Sequence, residues 1–124
     1  MKITVLGSGG WGTALALTLR ENGHSVALWS HTEEESRRLR ETGENPLLKG
    51  ISLPETLQLT ADMSVCEDCE VVVLATPSFA VRETAAKLKT FVRQGTVLVI
   101  VSKGIEKGTS LLLNQVVEIG RAHV

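Results

Sequence analysis

The chain alternates short, almost wholly apolar runs with longer stretches in which apolar residues recur at helical spacing. Such runs predict strands buried on both faces of a sheet, and the stretches between them predict helices. The predicted strands are Lys2–Leu6, Ser25–Trp29, Leu57–Thr60, Glu70–Ala75 and Gln94–Ser102. The predicted helices are Thr13–Leu19, Glu33–Thr42, Asp62–Asp68 and Ser78–Lys89. Strands that alternate with helices predict an α/β fold with a doubly wound parallel sheet.

Two segments differ from this apolar alternation. The predicted helix Glu33–Thr42 is charged almost throughout, and its Glu and Arg residues fall at spacings of three and four, which predicts a solvent-facing helix. From Gly43 to about Glu55 the chain is interrupted by Gly and Pro, which predicts a loop. A loop of this length in a compact domain suggests a functional role.

Length and composition limit the function classes. The 124 residues are 43% hydrophobic and 3% aromatic, which suits one domain with an aliphatic core. A net charge of -1 provides no electrostatic surface for nucleic acid, and no apolar run is long enough for insertion into a membrane. Four glycines and a serine interrupt the first apolar stretch, which argues against a secretory signal peptide. We therefore expect a cytoplasmic protein.

The only two cysteines form a C-x-x-C pair, Cys66 and Cys69. A zinc site needs four ligands, and no second Cys or His pair stands at a suitable spacing. Thioredoxin-type pairs follow a strand, whereas this pair precedes one. Two reduced structural thiols are therefore the favoured interpretation over a metal or redox site.

A glycine-rich turn between the first strand and the first helix carries the strongest chemical prediction. The turn contains Gly7, Ser8, Gly9, Gly10, Trp11 and Gly12, in the pattern G-x-G-x-x-G. Its first glycine permits a tight turn, the second allows the backbone to approach a pyrophosphate, and the third allows close packing of helix on strand. The context predicts a Rossmann-type site for NADP or NAD, against the alternative of a glycine-rich turn without a ligand. For Trp11, packing and ligand contact are equally open.

The end of the second strand bears on the choice of cofactor. NAD-specific sites usually carry an Asp or Glu there, which binds the ribose 2'-hydroxyl. This chain instead has Ser30, His31 and Thr32, with Arg37 and Arg38 a helical turn or two further on. Hydroxyl, imidazole and guanidinium groups tolerate a 2'-phosphate, so NADP is slightly favoured over NAD. His31 is a candidate contact, with a plain surface position as the alternative.

Three further candidate residues follow two later strands. Ligands of open α/β sheets lie beyond the carboxyl ends of the strands, which makes these positions candidates. Pro77 and Phe79 stand in the turn after the strand that ends near Ala75, and we expect this turn to pass beside the middle of the cofactor. An ordinary connection, with Phe79 in the core, is the alternative. Lys103 follows the last long strand, where it could hold a substrate phosphate or simply be exposed to solvent.

Several segments together resemble the amino-terminal half of bacterial-type NAD(P)-dependent glycerol-3-phosphate dehydrogenases, over nearly the whole chain. The most specific of them is Val101-Ser-Lys-Gly-Ile-Glu106. The others are Gly7-Ser-Gly-Gly-Trp-Gly-Thr-Ala-Leu-Ala16, Trp29-Ser-His31, Glu44-Asn-Pro46 with Leu53-Pro54, and Ala75-Thr-Pro-Ser78. Ketopantoate reductases and 6-phosphogluconate dehydrogenases share the glycine turn and remain an alternative, as does a dinucleotide-binding module without catalysis.

The resemblance implies an oxidoreductase that reduces dihydroxyacetone phosphate to sn-glycerol 3-phosphate with NAD(P)H, for glycerophospholipid synthesis. It implies cofactor contacts at Gly10, Trp11, His31 and Lys103, with Lys103 also touching the substrate phosphate, and it leaves a homodimer open. The family commonly has Ser where this chain has Gly10, often has Arg where this chain has Thr32, and often has a Tyr after the Asn-Pro segment.

The family also continues into a helical domain that carries a catalytic Lys. We therefore expect residues 1–118 to form an incomplete NAD(P)-binding domain, a truncated Rossmann fold without catalytic residues and inactive by itself. The segment Ile119-Gly-Arg-Ala-His-Val124 matches the translation of a common sequencing adaptor. Residues 119–124 are accordingly interpreted as an artefactual tail.

Overall fold

The structure, a computed structural model, describes residues 1–101. The strands are β1 (Lys2–Leu6), β2 (Ser25–Trp29), β3 (Gln58–Thr60), β4 (Val71–Leu74) and β5 (Val97–Ile100). The α-helices are α1 (Gly10–Glu21), α2 (Glu33–Thr42) and α3 (Val81–Leu88). Within this part of the chain no helix is both long and apolar enough to cross a membrane. The predicted domain end at residue 118 and the predicted tail lie outside the described residues.

All five strands are parallel, in the order β3-β2-β1-β4-β5. The register brings Leu6 at the end of β1 opposite Trp29 on β2 and opposite Leu74 on β4. The carboxyl ends of the three central strands therefore lie at the same height along one edge of the sheet. The turns that follow these strands meet at that edge.

Apolar side chains alternate between the two faces of the sheet and form a core on each. Val5 and Val73 pack on one face with Ala16 of α1 and Leu39 of α2. Their neighbours in sequence, with Leu74 among them, pack on the other face with α3 and the short turn before β4. Helices cover both faces, so the predicted doubly wound parallel sheet is confirmed.

The charged helix α2 forms because its two ends are capped. The side chain of Thr32 accepts a hydrogen bond from the amide of Glu35 at 3.2 Å. Three glutamates in the first turn complement the helix dipole, and Gly43 ends the helix in the left-handed conformation at φ 68°. Only Ser36 and Leu39 of this helix are buried, which confirms the predicted solvent-facing surface.

Two predicted helices are shorter or tighter than expected. The predicted helix Asp62–Asp68 is a single 3₁₀ turn, Met63–Cys66, that the Asp62 side chain opens by accepting from the Ser64 amide at 3.0 Å. The predicted helix Ser78–Lys89 begins as a 3₁₀ turn, Ser78–Ala80, before α3. The sequence predicted the positions of both helical segments but not their 3₁₀ geometry.

The cysteines are reduced and buried beneath the sheet face that α3 covers. The Sγ atom of Cys69 lies 2.7 Å from the hydroxyl of Thr4, a buried polar residue of β1. Burial raises the pKa of Cys66 to about 12, and burial also raises the pKa of Cys69. Both thiols are therefore protonated at neutral pH, as suits side chains that pack in a core.

Candidate functional site

The site begins at the aligned carboxyl ends of β1, β2 and β4. The Gly7 amide donates to the Trp29 carbonyl at 2.9 Å, and the Ala75 amide donates to the Leu6 carbonyl at 2.8 Å. These bonds extend the parallel ladders one residue past the ends of the strands. The glycine turn and the turn after β4 are thereby held side by side.

Two of the four glycines in the turn are required by close packing. Gly7 has φ +123°, and a Cβ there would lie 2.7 Å from the carbonyl oxygen of Ala75. A Cβ on Gly12 would lie 2.0 Å from the carbonyl oxygen of Gly7 and 3.3 Å from the Ala75 Cβ. Both positions therefore exclude any side chain, as the sequence predicted for a tight turn and for close packing of helix on strand.

The other two glycines leave the amino end of α1 open. Gly9 is the N-cap residue, and its helix end has no hydrogen bond from a capping side chain among the described residues. A Cβ built on Gly9 meets no described atom within 4 Å, and one on Gly10 meets only Leu47, at 3.5 Å. There is thus open space at Gly9, and the amides of a first helical turn together with the positive end of the helix dipole fit a phosphate group there.

A group of buried polar side chains supports the turn from beneath, and the sequence analysis did not predict it. Asn45 donates from Nδ2 to the Ser8 carbonyl at 2.9 Å and to the Thr13 hydroxyl at 2.8 Å. The hydroxyl of Ser30 donates to the hydroxyl of Ser8 at 2.9 Å. The available signal was a single Asn before Pro in a long loop, which marks a turn but does not identify its distant partner.

Beyond the buried Ser30, the residues that follow β2 lie at the surface. His31 is exposed, and its ring meets Trp29 edge to face with 6.1 Å between ring centroids. Arg38 pairs with Glu34 at 2.7 Å, and Arg37 lies 3.9 Å from Glu41. All four of these charged side chains are largely exposed, so the pairs are weak and salt-sensitive.

Three candidate residues project from the same edge into solvent. Phe79 is 82% exposed, so the alternative that placed it in the core is wrong. Trp11 is 63% exposed, on the first turn of α1, and Pro77 is exposed in the turn after β4. Large exposed aromatic side chains beside an open helix end are typical of a surface that a ligand covers. Lys103 lies outside the described residues.

Comparison with known proteins agrees with this geometry. Residues 2–121 match the family model described as NAD-dependent glycerol-3-phosphate dehydrogenase N-terminus. The chain belongs to this family. The glycerol-3-phosphate dehydrogenase [NAD(P)+] of Moorella thermoacetica is 47% identical over 116 residues, which are 92% of this chain and 35% of that protein. That of Agathobacter rectalis is 41% identical over 119 residues, which are 94% of this chain and 35% of that protein.

Solved structures give the same result. The glycerol-3-phosphate dehydrogenase of Coxiella burnetii superposes with a TM-score of 0.89 at 34% identity, over 97% of this chain and 37% of that one. The yeast enzyme superposes with a TM-score of 0.83 at 26% identity, over 98% of this chain and 39% of that one. A ketopantoate reductase from Ralstonia eutropha, at 19% identity and a TM-score of 0.72, shares the fold alone.

The predicted family resemblance is therefore confirmed, and with it the predicted dependence on NAD or NADP. The chain spans about a third of the length of the curated relatives that it matches. The matched region is the amino-terminal, NAD-binding part of these dehydrogenases.

Proposed function

We propose that this chain forms the cofactor-binding part of an oxidoreductase that interconverts dihydroxyacetone phosphate and sn-glycerol 3-phosphate with NAD(P)H. The observation that carries the proposal is the open amino end of α1, beside a turn in which Gly7 and Gly12 exclude side chains. Family membership supports the substrate, because the relatives are named for it. A cytoplasmic location and a homodimer are predictions of the same proposal.

Each candidate residue has a role in this proposal. The backbone of Gly9, Gly10 and Trp11 binds the cofactor pyrophosphate, because Gly9 caps α1 and the other two residues begin it. Ser8 contributes to the same contact. His31 lies beside the adenosine ribose, since it follows the neighbouring strand β2.

The remaining candidates lie along the other half of the cofactor. Pro77 and Phe79 border its middle, and Lys103 binds cofactor and substrate phosphate. When bound, the cofactor supplies the hydride that reduces the substrate carbonyl. The protein's part is to bind the dinucleotide and to present its nicotinamide to the substrate.

The choice between NAD and NADP depends on the surface after β2. That turn carries no carboxylate to bind a 2'-hydroxyl, and Arg38 stands one turn into α2. Arg38 is paired with Glu34, but an exposed pair at this spacing contributes only about 0.3 to 0.5 kcal/mol, so it does not prevent the guanidinium from binding a phosphate. We expect both cofactors to bind, with NADPH preferred by a few-fold.

Fluorescence titration of the 124-residue chain with NADPH and NADH tests the proposal. Trp11 is exposed beside the helix end, whereas Trp29 is buried and its Nε1 donates to the Ala61 carbonyl at 3.0 Å. Trp11 therefore reports binding, and Trp29 reports the folded state. We expect saturable quenching that is largely lost in the matched variant Trp11→Phe, whose binding is followed by calorimetry instead.

A folded chain that binds neither cofactor would contradict the proposal. If circular dichroism shows the chain folded and calorimetry detects no binding of either cofactor, the proposed function of these residues is refuted. The substrate is tested separately, on a protein that contains this chain together with the rest of the relatives' length. Oxidation of NADPH with dihydroxyacetone phosphate, but not with dihydroxyacetone, is expected.

A further inference from the structure

Asn45 is the most deeply buried polar side chain of the loop that follows α2, with 3% of its surface exposed. Its Nδ2 group donates both of its hydrogens, one to the Ser8 carbonyl and one to the Thr13 hydroxyl. Its Oδ1 atom accepts the Leu47 amide at 3.0 Å. The reverse orientation would set oxygen against the Ser8 carbonyl, so these partners fix the side-chain amide in one position.

The anchored carbonyl belongs to the peptide group that links Ser8 to Gly9. In a trans peptide the carbonyl and the amide point in opposite directions within one plane. The Ser8 carbonyl is held on the buried side by Asn45 and, at 3.3 Å, by the Thr13 hydroxyl. The Gly9 amide must therefore point away from the buried side. Gly9 is the residue that caps α1.

The hydrogen bond from Asn45 to the Ser8 carbonyl opposes rotation of the peptide group between Ser8 and Gly9. Gly9 and Gly10 bear no side chains, and a Cβ on Gly9 would meet no described atom within 4 Å, so side-chain packing at these two residues does not restrain the turn. Glycine also samples more backbone conformations than any other residue. A turn made of glycines needs an external restraint if its amides are to be preorganised for a ligand.

We propose that Asn45 is a positioning residue, which aims the Gly9 amide at the pyrophosphate of the dinucleotide by holding the Ser8 carbonyl. This inference rests on the proposed function. It gives the loop between α2 and β3 a role in binding, although the loop follows the glycine turn by more than thirty residues. The same loop brings Leu47 against Gly10, so turn and loop form one unit.

The test is the affinity of the 124-residue chain for NAD⁺, measured by calorimetry. Asn45→Asp keeps the shape and the acceptor for the Leu47 amide but loses both donors. Asn22→Ala is the matched control, because Asn22 also donates from Nδ2 to a backbone carbonyl, that of Thr18, at the far end of the same helix. We expect Kd to rise at least tenfold in Asn45→Asp and to stay unchanged in Asn22→Ala.

A spectroscopic measurement separates positioning from general stability, and its first part needs no Asn45 variant. In the chain labelled with ¹⁵N-glycine, the Gly9 amide is identified by its absence in Gly9→Ala. Inorganic pyrophosphate should shift this resonance in the unsubstituted chain. In a folded Asn45→Asp chain the shift should be smaller, whereas a merely structural role would leave it unchanged.

The outcomes are distinguishable. A folded Asn45→Asp chain that binds NAD⁺ as tightly as the unsubstituted chain overturns the inference and leaves the proposed function standing. If Asn45→Asp does not fold, a Gly9 resonance that pyrophosphate does not shift in the unsubstituted chain overturns it. Absence of NAD⁺ binding by the folded unsubstituted chain overturns the proposed function and this inference together.

Discussion

Substituting Ala for Gly9 and for Gly12 separates binding from stability within one turn. At Gly9 the backbone has φ −67° and ψ 178°, which Ala adopts freely, and the new methyl group meets no described atom within 4 Å. Ala is a poorer N-cap residue than Gly, but it also restricts the unfolded chain. These effects oppose each other, so the free energy of unfolding should change by less than about 0.5 kcal/mol.

Cofactor affinity should nevertheless fall in Gly9→Ala, because the methyl group occupies the space through which a phosphate approaches the helix end. A hydrogen bond to a charged group contributes about 1.5 to 3 kcal/mol. Loss of one such bond raises Kd by roughly 10- to 150-fold. Calorimetry with NAD⁺ and NADP⁺ measures this change directly.

Gly12→Ala should, in contrast, lower the stability of the fold. Its Cβ would lie 2.0 Å from the Gly7 carbonyl oxygen, so backbone must move by about 1 Å to reach even 3.0 Å. Overpacking of this kind costs about 3 kcal/mol at the upper end of its usual range. For a domain of this size that corresponds to a fall in Tm of roughly 10 °C, which thermal melts followed by circular dichroism would detect.

The contrast between the two variants is the critical result. If Gly9→Ala keeps full affinity for both cofactors, the phosphate does not approach the backbone at Gly9, and the argument from the open helix end is refuted. If Gly12→Ala is as stable as the unsubstituted chain, the close approach of α1 to β1 is not what this glycine permits.

Three further predictions follow from other parts of the molecule. Gly10→Ser should raise the free energy of unfolding by roughly 0.5 kcal/mol, because Ser is a better helix former than Gly and its Cβ would meet Leu47 only at an ordinary 3.5 Å. Thermal melts measure this change, and a loss of stability would contradict the prediction. In calorimetry, Arg38→Ala should weaken NADPH binding several-fold and NADH binding little. The fold itself should be unaffected, since the exposed pair of Arg38 with Glu34 adds almost no stability. Equal effects on both cofactors would argue against a contact between Arg38 and the 2'-phosphate. Because burial raises the pKa of Cys66 from 9.0 to about 12, the unfolded chain loses this proton first as pH rises. Stability in denaturant titrations should therefore decline between pH 9 and pH 12, by up to about 1.4 kcal/mol per pH unit, and a flat profile there would show that the thiol ionises as readily when folded.

Local pattern alone determined most of the fold. The apolar runs identified all five strands of residues 1–101. Their alternation with helices predicted the parallel sheet, because strands buried on both faces have few other ways to be covered. The glycine turn was also predictable, because its G-x-G-x-x-G pattern stands between a predicted strand and a predicted helix. The atoms that exclude a Cβ at Gly7 nevertheless belong to the distant turn at Ala75. The sequence thus determined where the glycine turn and the start of α1 lie.

Tertiary structure alone decided what supports that turn and which candidate residues are exposed at the edge of the sheet. Asn45 reaches Ser8 only because the sheet places β2 beside β1 and brings the loop after α2 over the glycine turn. Phe79 has a side chain that composition alone would place in a core, but the short 3₁₀ turn before α3 directs it to solvent. The contact of Asn45 depends on segments that are distant in the chain, and such contacts leave no periodic trace in the sequence. The exposure of Phe79 depends on the 3₁₀ geometry of its turn, which the spacing of apolar residues did not reveal.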